Sequence, residues 1–85
     1  MGMQQRVQDT YNQRGYSADI RTLALGLCEE AGEVAAAVLD WYSPDFQPKP
    51  GRVSSDLEHE LRDCLTYLCA IANVASIDLE LEEEA

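Results

Sequence analysis

Basic residues are scarce. The 85-residue chain carries 6 Lys and Arg against 16 Asp and Glu, a formal net charge of −10. Nucleic-acid binding draws on Lys and Arg to meet phosphates, so this balance argues against such a partner. It argues equally against an anionic membrane surface. Long hydrophobic runs are also missing. The longest apolar stretch, Leu65 to Ala75, is too short to cross a bilayer, and Asn73 interrupts it. No secretory leader is recognisable, and a cytoplasmic location is the default expectation. Cysteines number three, Cys28, Cys64 and Cys69, with no CxxC spacing. That pattern excludes a disulfide framework and a zinc knuckle. It reads instead as three small buried hydrophobes in a reduced compartment. There is one histidine, His59, and no Glu-x-x-His, which removes the di-iron bundles.

The residues present specify a single helical domain over 1–85. The apolar fraction is 46%, ordinary for a folded chain. Only the acidic stretch Glu80–Ala85 has the composition of a disordered tail. Met3–Arg14 reads as a short polar helix with a narrow stripe of Val7 and Tyr11, ended by Gly15. Ser17 or Asp19 can cap a second helix from about Ala18 to Trp41. On a helical projection Ile20, Leu23, Ala31, Val34 and Val38 fall within about 40 degrees of Leu27 and form its core stripe. Pro44, Pro48, Pro50 and Gly51 make 43–53 a connection, with Phe46 in its middle. The third helix opens on a capping box, Ser55 with Glu58. It carries an apolar face of Leu57, Leu61, Cys64, Leu65, Leu68, Ile71, Ala72 and Ala75. A last short helix is expected from Ile77 or Asp78. The fold class is therefore all-α: two long antiparallel helices plus short terminal ones.

The second helix is apolar or small over much of its circumference, with Ala24, Cys28 and Ala35 outside its tight stripe. One 85-residue chain has too few partners to cover it. A homo-dimer or homo-tetramer is expected, with a four-helix core completed by dimerisation.

Each long helix bears an acidic pair three residues apart beside its apolar stripe: Glu30 with Glu33, and Glu60 with Asp63. Residues three apart are surface neighbours on a helix. Antiparallel packing could bring the two pairs face to face, and four converging carboxylates repel unless a cation joins them. Oxygen-only ligands suit Mg2+, with Mn2+ possible, and such a site serves attack on a phosphate. The plain alternative is a solvated acidic face. Arg62 is four residues from Glu58 and can form a surface ion pair with it. Trp41 can pack or stack on a nucleobase, and Asn73 can cap its helix.

The run Leu27-Cys28-Glu29-Glu30-Ala31-Gly32-Glu33-Val34 has the form EExxE and is followed by the ExxD of Glu60-Leu61-Arg62-Asp63. Together they resemble the MazG-like all-α nucleoside triphosphate pyrophosphohydrolases, a family that includes dimeric dUTPases and dCTP pyrophosphatases. The resemblance covers about Leu23 to Leu79. It implies that Glu30, Glu33, Glu60 and Asp63 hold magnesium, with Glu29 assisting or orienting water. It implies hydrolysis of a nucleoside triphosphate to a monophosphate and pyrophosphate, by metal-activated water attacking the α phosphorus. It also implies that Asn73 lies near the base or sugar, and that Gly32 allows close helix packing. Relatives carry basic residues just after the match to Ile77-Asp78-Leu79, where this chain has Glu80-Leu81-Glu82-Glu83-Glu84. Phosphate neutralisation then falls to the metal, to Arg62, Lys49 or Arg52, or to a neighbouring subunit. The alternative function is a non-catalytic helical module that retains metal or nucleotide binding.

Overall fold

The computed structural model describes residues 2–41 and 54–80, with the backbone alone at 40, 41 and 54–56. Three helices make up their regular structure: α1 (Met3–Arg14), α2 (Ile20–Trp41) and α3 (Ser54–Val74). The all-α expectation holds, and α1 has the limits read from sequence. Gly15 adopts φ 65° and its N–H donates to the Tyr11 carbonyl, closing α1 in the left-handed conformation that glycine adopts at least cost.

Asp19 rather than Ser17 caps α2. Its Oδ1 accepts from the Arg21 backbone N–H at 2.9 Å, while the Ser17 hydroxyl accepts from the Asp19 N–H at 3.2 Å. The cap also bonds the Arg21 guanidinium, and these contacts hold the Asp19 carboxyl below its ordinary range. The helix therefore begins at Ile20, two residues later than the sequence pattern placed it. α3 begins at Ser54, ahead of Ser55, so Ser55 is not its cap. The cap position, 53, lies outside the described residues.

No helix begins at Ile77 or Asp78. α3 instead ends in a double turn-back: the Ile77 N–H donates to the Ala72 carbonyl and the Ser76 N–H to the Asn73 carbonyl, with Ser76 left-handed at φ 58°. The chain beyond is claimed by other bonds. Leu79 N–H donates to Gln4 Oε1, and Glu80 N–H donates to Asp78 Oδ1 at 2.8 Å.

α3 is the central element, with α1 and α2 both packed on it. The order of contacts shows that α2 and α3 run antiparallel. Glu30 meets Glu60 and Asp63, Gly26 meets Tyr67, and Leu23 shares a core cluster with Cys69 and Ala70. Val7 completes that cluster from α1, with Met3, Tyr11, Tyr67 and Ile71 around it.

Much of the apolar surface lies outside this small core. Leu23 is buried, but Ile20, Ala31 and Val38 of the same stripe are exposed, because among the described elements only α3 packs on α2. Leu25 and Leu39 are 74% and 77% exposed. On α3, Leu61 and Leu68 are half-exposed, while Cys69 and Ala70 are buried instead. Only Cys69 fulfils the reading of the cysteines as buried: Cys64 is half-buried and Cys28 is exposed on the uncovered side of α2. Burial raises the Cys69 thiol pKa above its ordinary value. A Cβ added at Gly32 would meet nothing within 4 Å, so this glycine supports no close packing among the described residues. That role falls to Gly26, where an added Cβ would lie 2.6 Å from Tyr67 Cζ.

Candidate metal centre

The antiparallel register sets the acidic pairs of α2 and α3 opposite one another. Glu30, Glu60 and Asp63 each offer an oxygen within 4.8 Å of the others. Glu33 is exposed and lies outside this group of three, although its charge is felt by both Glu30 and Glu60. Of the two acidic pairs, Glu60 and Asp63 of α3 thus meet Glu30 of α2, while the fourth expected carboxylate, Glu33, is not among the three.

The electrostatics are those of crowded anions. Loss of solvent around Glu30 raises its pKa, and the charge and contact of Glu33 add to this, followed by Asp63 and Glu60. For Glu60 the contact with Glu33 leads, then desolvation and the charge of Glu33, opposed by His59. Glu30 Oε2 and Glu60 Oε2 are shielded from solvent and have no hydrogen-bond partner among the described residues. Shielded carboxylate oxygens without a donor are costly unless a proton or a cation satisfies them. Three or four oxygen donors drawn from two helices fit a hard divalent cation.

The other sequence candidates are distributed around this centre. Glu29 is exposed and lies outside the group of three. Arg62 is bound to Glu58, its Nη2 at 3.1 Å from Oε1, the ion pair expected from their spacing. His59 places Nε2 3.3 Å from Asp63 Oδ2. Asn73 faces α1: its Nδ2 donates to the Gln4 carbonyl at 2.9 Å, and its Oδ1 accepts from Gln4 Nε2 at 3.0 Å. It stands ten residues from Asp63, about 15 Å along the helix axis. The side chain of Trp41, the whole of Phe46, and Lys49 and Arg52 lie outside the described residues.

Sequence reasoning missed the groove beside the carboxylates. It runs between α1 and α2 over α3, with a volume of about 710 Å³, and Glu30, Arg62 and Asp63 lie along it. Tyr11, Tyr16 and Tyr67 are among the aromatic residues lining it, and Thr22 and Thr66 are among its hydroxyls. Tyr11 and Tyr16 meet edge to face at 5.3 Å. Tyr67 was within reach of a sequence argument, since it follows Asp63 by four and shares its helix face.

Three helices with a carboxylate cluster between the two long ones define a small all-α protein with an acidic centre. The sequence pattern of the MazG nucleotide pyrophosphohydrolase domain matches residues 18–84, and the chain belongs to that family. No curated protein and no solved structure matches it. Both halves of the carboxylate cluster fall within the matched span. Among the described residues, no helix is long and apolar enough to cross a membrane.

Proposed function

We propose that the chain, acting as one domain over 1–85, hydrolyses a nucleoside triphosphate to a monophosphate and pyrophosphate. The observation that carries this reading is the pair of shielded, partnerless oxygens on Glu30 and Glu60, opposed across α2 and α3 in a family of nucleotide pyrophosphohydrolases. Glu30, Glu60 and Asp63, with Glu33 beside them, would hold Mg2+ or Mn2+. Such an ion neutralises phosphate charge and lowers the pKa of water.

The protein groups then have separate tasks. The groove takes the nucleoside, with the triphosphate directed at its acidic end. Arg62 lies along the groove and can exchange Glu58 for a phosphate, since both partners of that surface pair are solvated. Glu29, adjacent to Glu30 and exposed, is free to accept a proton from the attacking water. The α phosphorus is the electrophile, so that pyrophosphate leaves as a unit.

The functional molecule is proposed to be a homo-dimer or homo-tetramer. Leu25 and Leu39 on α2 and Leu61 and Leu68 on α3 remain outside the core, and a second helix pair would cover them. The three free cysteines accord with the reduced cytoplasm.

The deciding experiment measures pyrophosphate release from a panel of nucleoside triphosphates with Mg2+ and then Mn2+, in oxygen-18 water. Label in the monophosphate supports attack at the α position. Label confined to pyrophosphate rejects it, and metal binding without turnover rejects catalysis.

A further inference from the structure

Gly26 sits inside α2, where glycine costs a helix roughly 1 kcal/mol relative to alanine. The space it leaves is occupied. The Tyr67 ring from α3 lies against the α2 backbone there, and a Cβ at position 26 would fall 2.6 Å from Cζ and 2.9 Å from the hydroxyl oxygen. Both distances are well inside van der Waals contact, so the ring and any side chain at 26 are mutually exclusive. Tyr67 also walls the groove beside Glu30 and Asp63, four residues along α3 from Asp63.

We infer that Gly26 is a specificity-determining residue that acts through Tyr67. Its missing side chain lets the ring lie back into α2 and keeps the groove wide enough for a two-ring base. This rests on the proposal that the groove takes the nucleoside. A methyl group at 26 drives the ring off α2, and the space on its other side is the groove toward Tyr11. Purine nucleotides then lose more than pyrimidine nucleotides, because they fill more of the width. The displaced ring lies one turn of α3 from Asp63, so cation binding and the chemical step should be spared.

The test compares the wild type, Gly26→Ala, Tyr67→Leu and the double variant. Binding of non-hydrolysable analogues of dATP and dCTP is measured by calorimetry with Mg2+, alongside KM and kcat for the parent nucleotides. For Gly26→Ala the dATP analogue should weaken about tenfold or more and the dCTP analogue less, as expected for one extra methyl group in a pocket. KM should rise with kcat retained. In the Tyr67→Leu background Gly26→Ala should cost nothing, because the two positions are coupled through the ring. Should Gly26→Ala not fold, Tyr67→Trp thickens the same wall with Gly26 intact and should give the same purine-selective loss. Equal affinities of the wild type and Gly26→Ala for both analogues overturn the inference, as does an equal loss for both. Nucleotide binding that responds as described, without turnover in the wild type, leaves the inference standing and rejects the hydrolase reading. Absence of nucleotide binding to the wild type rejects both.

Discussion

Glu30 and Glu60 stand on different helices with carboxylate oxygens within 4.8 Å, and each keeps its Oε2 away from solvent without a hydrogen-bond partner among the described residues. Two such groups can be satisfied by a proton or by a cation, and stability measured with and without metal separates these states.

Mg2+ or Mn2+ should raise the melting temperature of the wild-type protein, because a ligand bound only by the folded form stabilises it. Glu60→Gln should abolish that increase. The same change should raise the melting temperature of the metal-free protein, because a repulsion is removed. Differential scanning fluorimetry with and without EDTA reads both effects. An unchanged metal response in Glu60→Gln would return the cluster to a solvated acidic face.

Acidification should stabilise the metal-free protein. The pKa values of Glu30 and Glu60 are raised in the folded state above the ordinary glutamate value of 4.5. The folded form therefore holds its protons more tightly than the unfolded chain. This contribution is fully present below 4.5 and is lost as pH rises through the raised values. Asp19, lowered by Arg21, acts in the opposite sense and only at more acid pH. Urea midpoints should rise from neutral pH toward 4.5 without metal, and this rise should shrink with saturating Mg2+.

Asn73→Ala should cost about 1–3 kcal/mol, since it removes two part-buried hydrogen bonds to Gln4. The metal-dependent rise in melting temperature should persist, because the contact lies far along α3 from Asp63. Loss of metal binding in this variant would mean that α1 docking and the acidic centre are coupled.

Arg62→Ala should alter stability by no more than about 0.5 kcal/mol, the usual worth of an exposed helical ion pair. Its effect should fall on nucleotide KM. An unchanged KM would remove Arg62 from the phosphate contacts.

Leu25→Asp with Leu39→Asp should shift the protein toward monomer in light scattering at micromolar concentration. Both side chains are more than 70% exposed in the single chain, so the fold of that chain loses little. A wild-type protein that is already monomeric would defeat the proposed assembly.

The helices and the acidic pairs were legible because each depends on local periodicity. Val7 with Tyr11 predicted the buried side of α1, and the three-residue spacing predicted which carboxylates share a face. What covers each face was not legible. The leucines of α3 form its most apolar side, yet the contact with α2 runs through Asp63, Tyr67 and Ala70, a line too mixed in character to read as core. Cys28 and Gly32 were assigned to packing that the described residues do not provide. Gly26, which sequence treats as one small residue among several, has its reason only in Tyr67, 41 positions away. The short helix expected from Ile77 or Asp78 does not form, although Ser76 and Asp78 look like helix starters. Their neighbours are instead bound to Gln4, a partner no local pattern could name.

That single glutamine has a kinetic meaning. Its side chain donates to Asn73 Oδ1 and to the Ile77 carbonyl and accepts from Leu79, over separations of 69, 73 and 75 residues. These bonds close the chain into a ring, and the entropy lost in closing a ring over such a span is offset only when the intervening helices are already packed. The α2–α3 pair that carries the carboxylates can therefore assemble before α1 is fastened. In the folded protein the same fastening is the natural place for opening to start: amides near Leu79 should exchange with solvent sooner than those of the Leu23–Cys69 core.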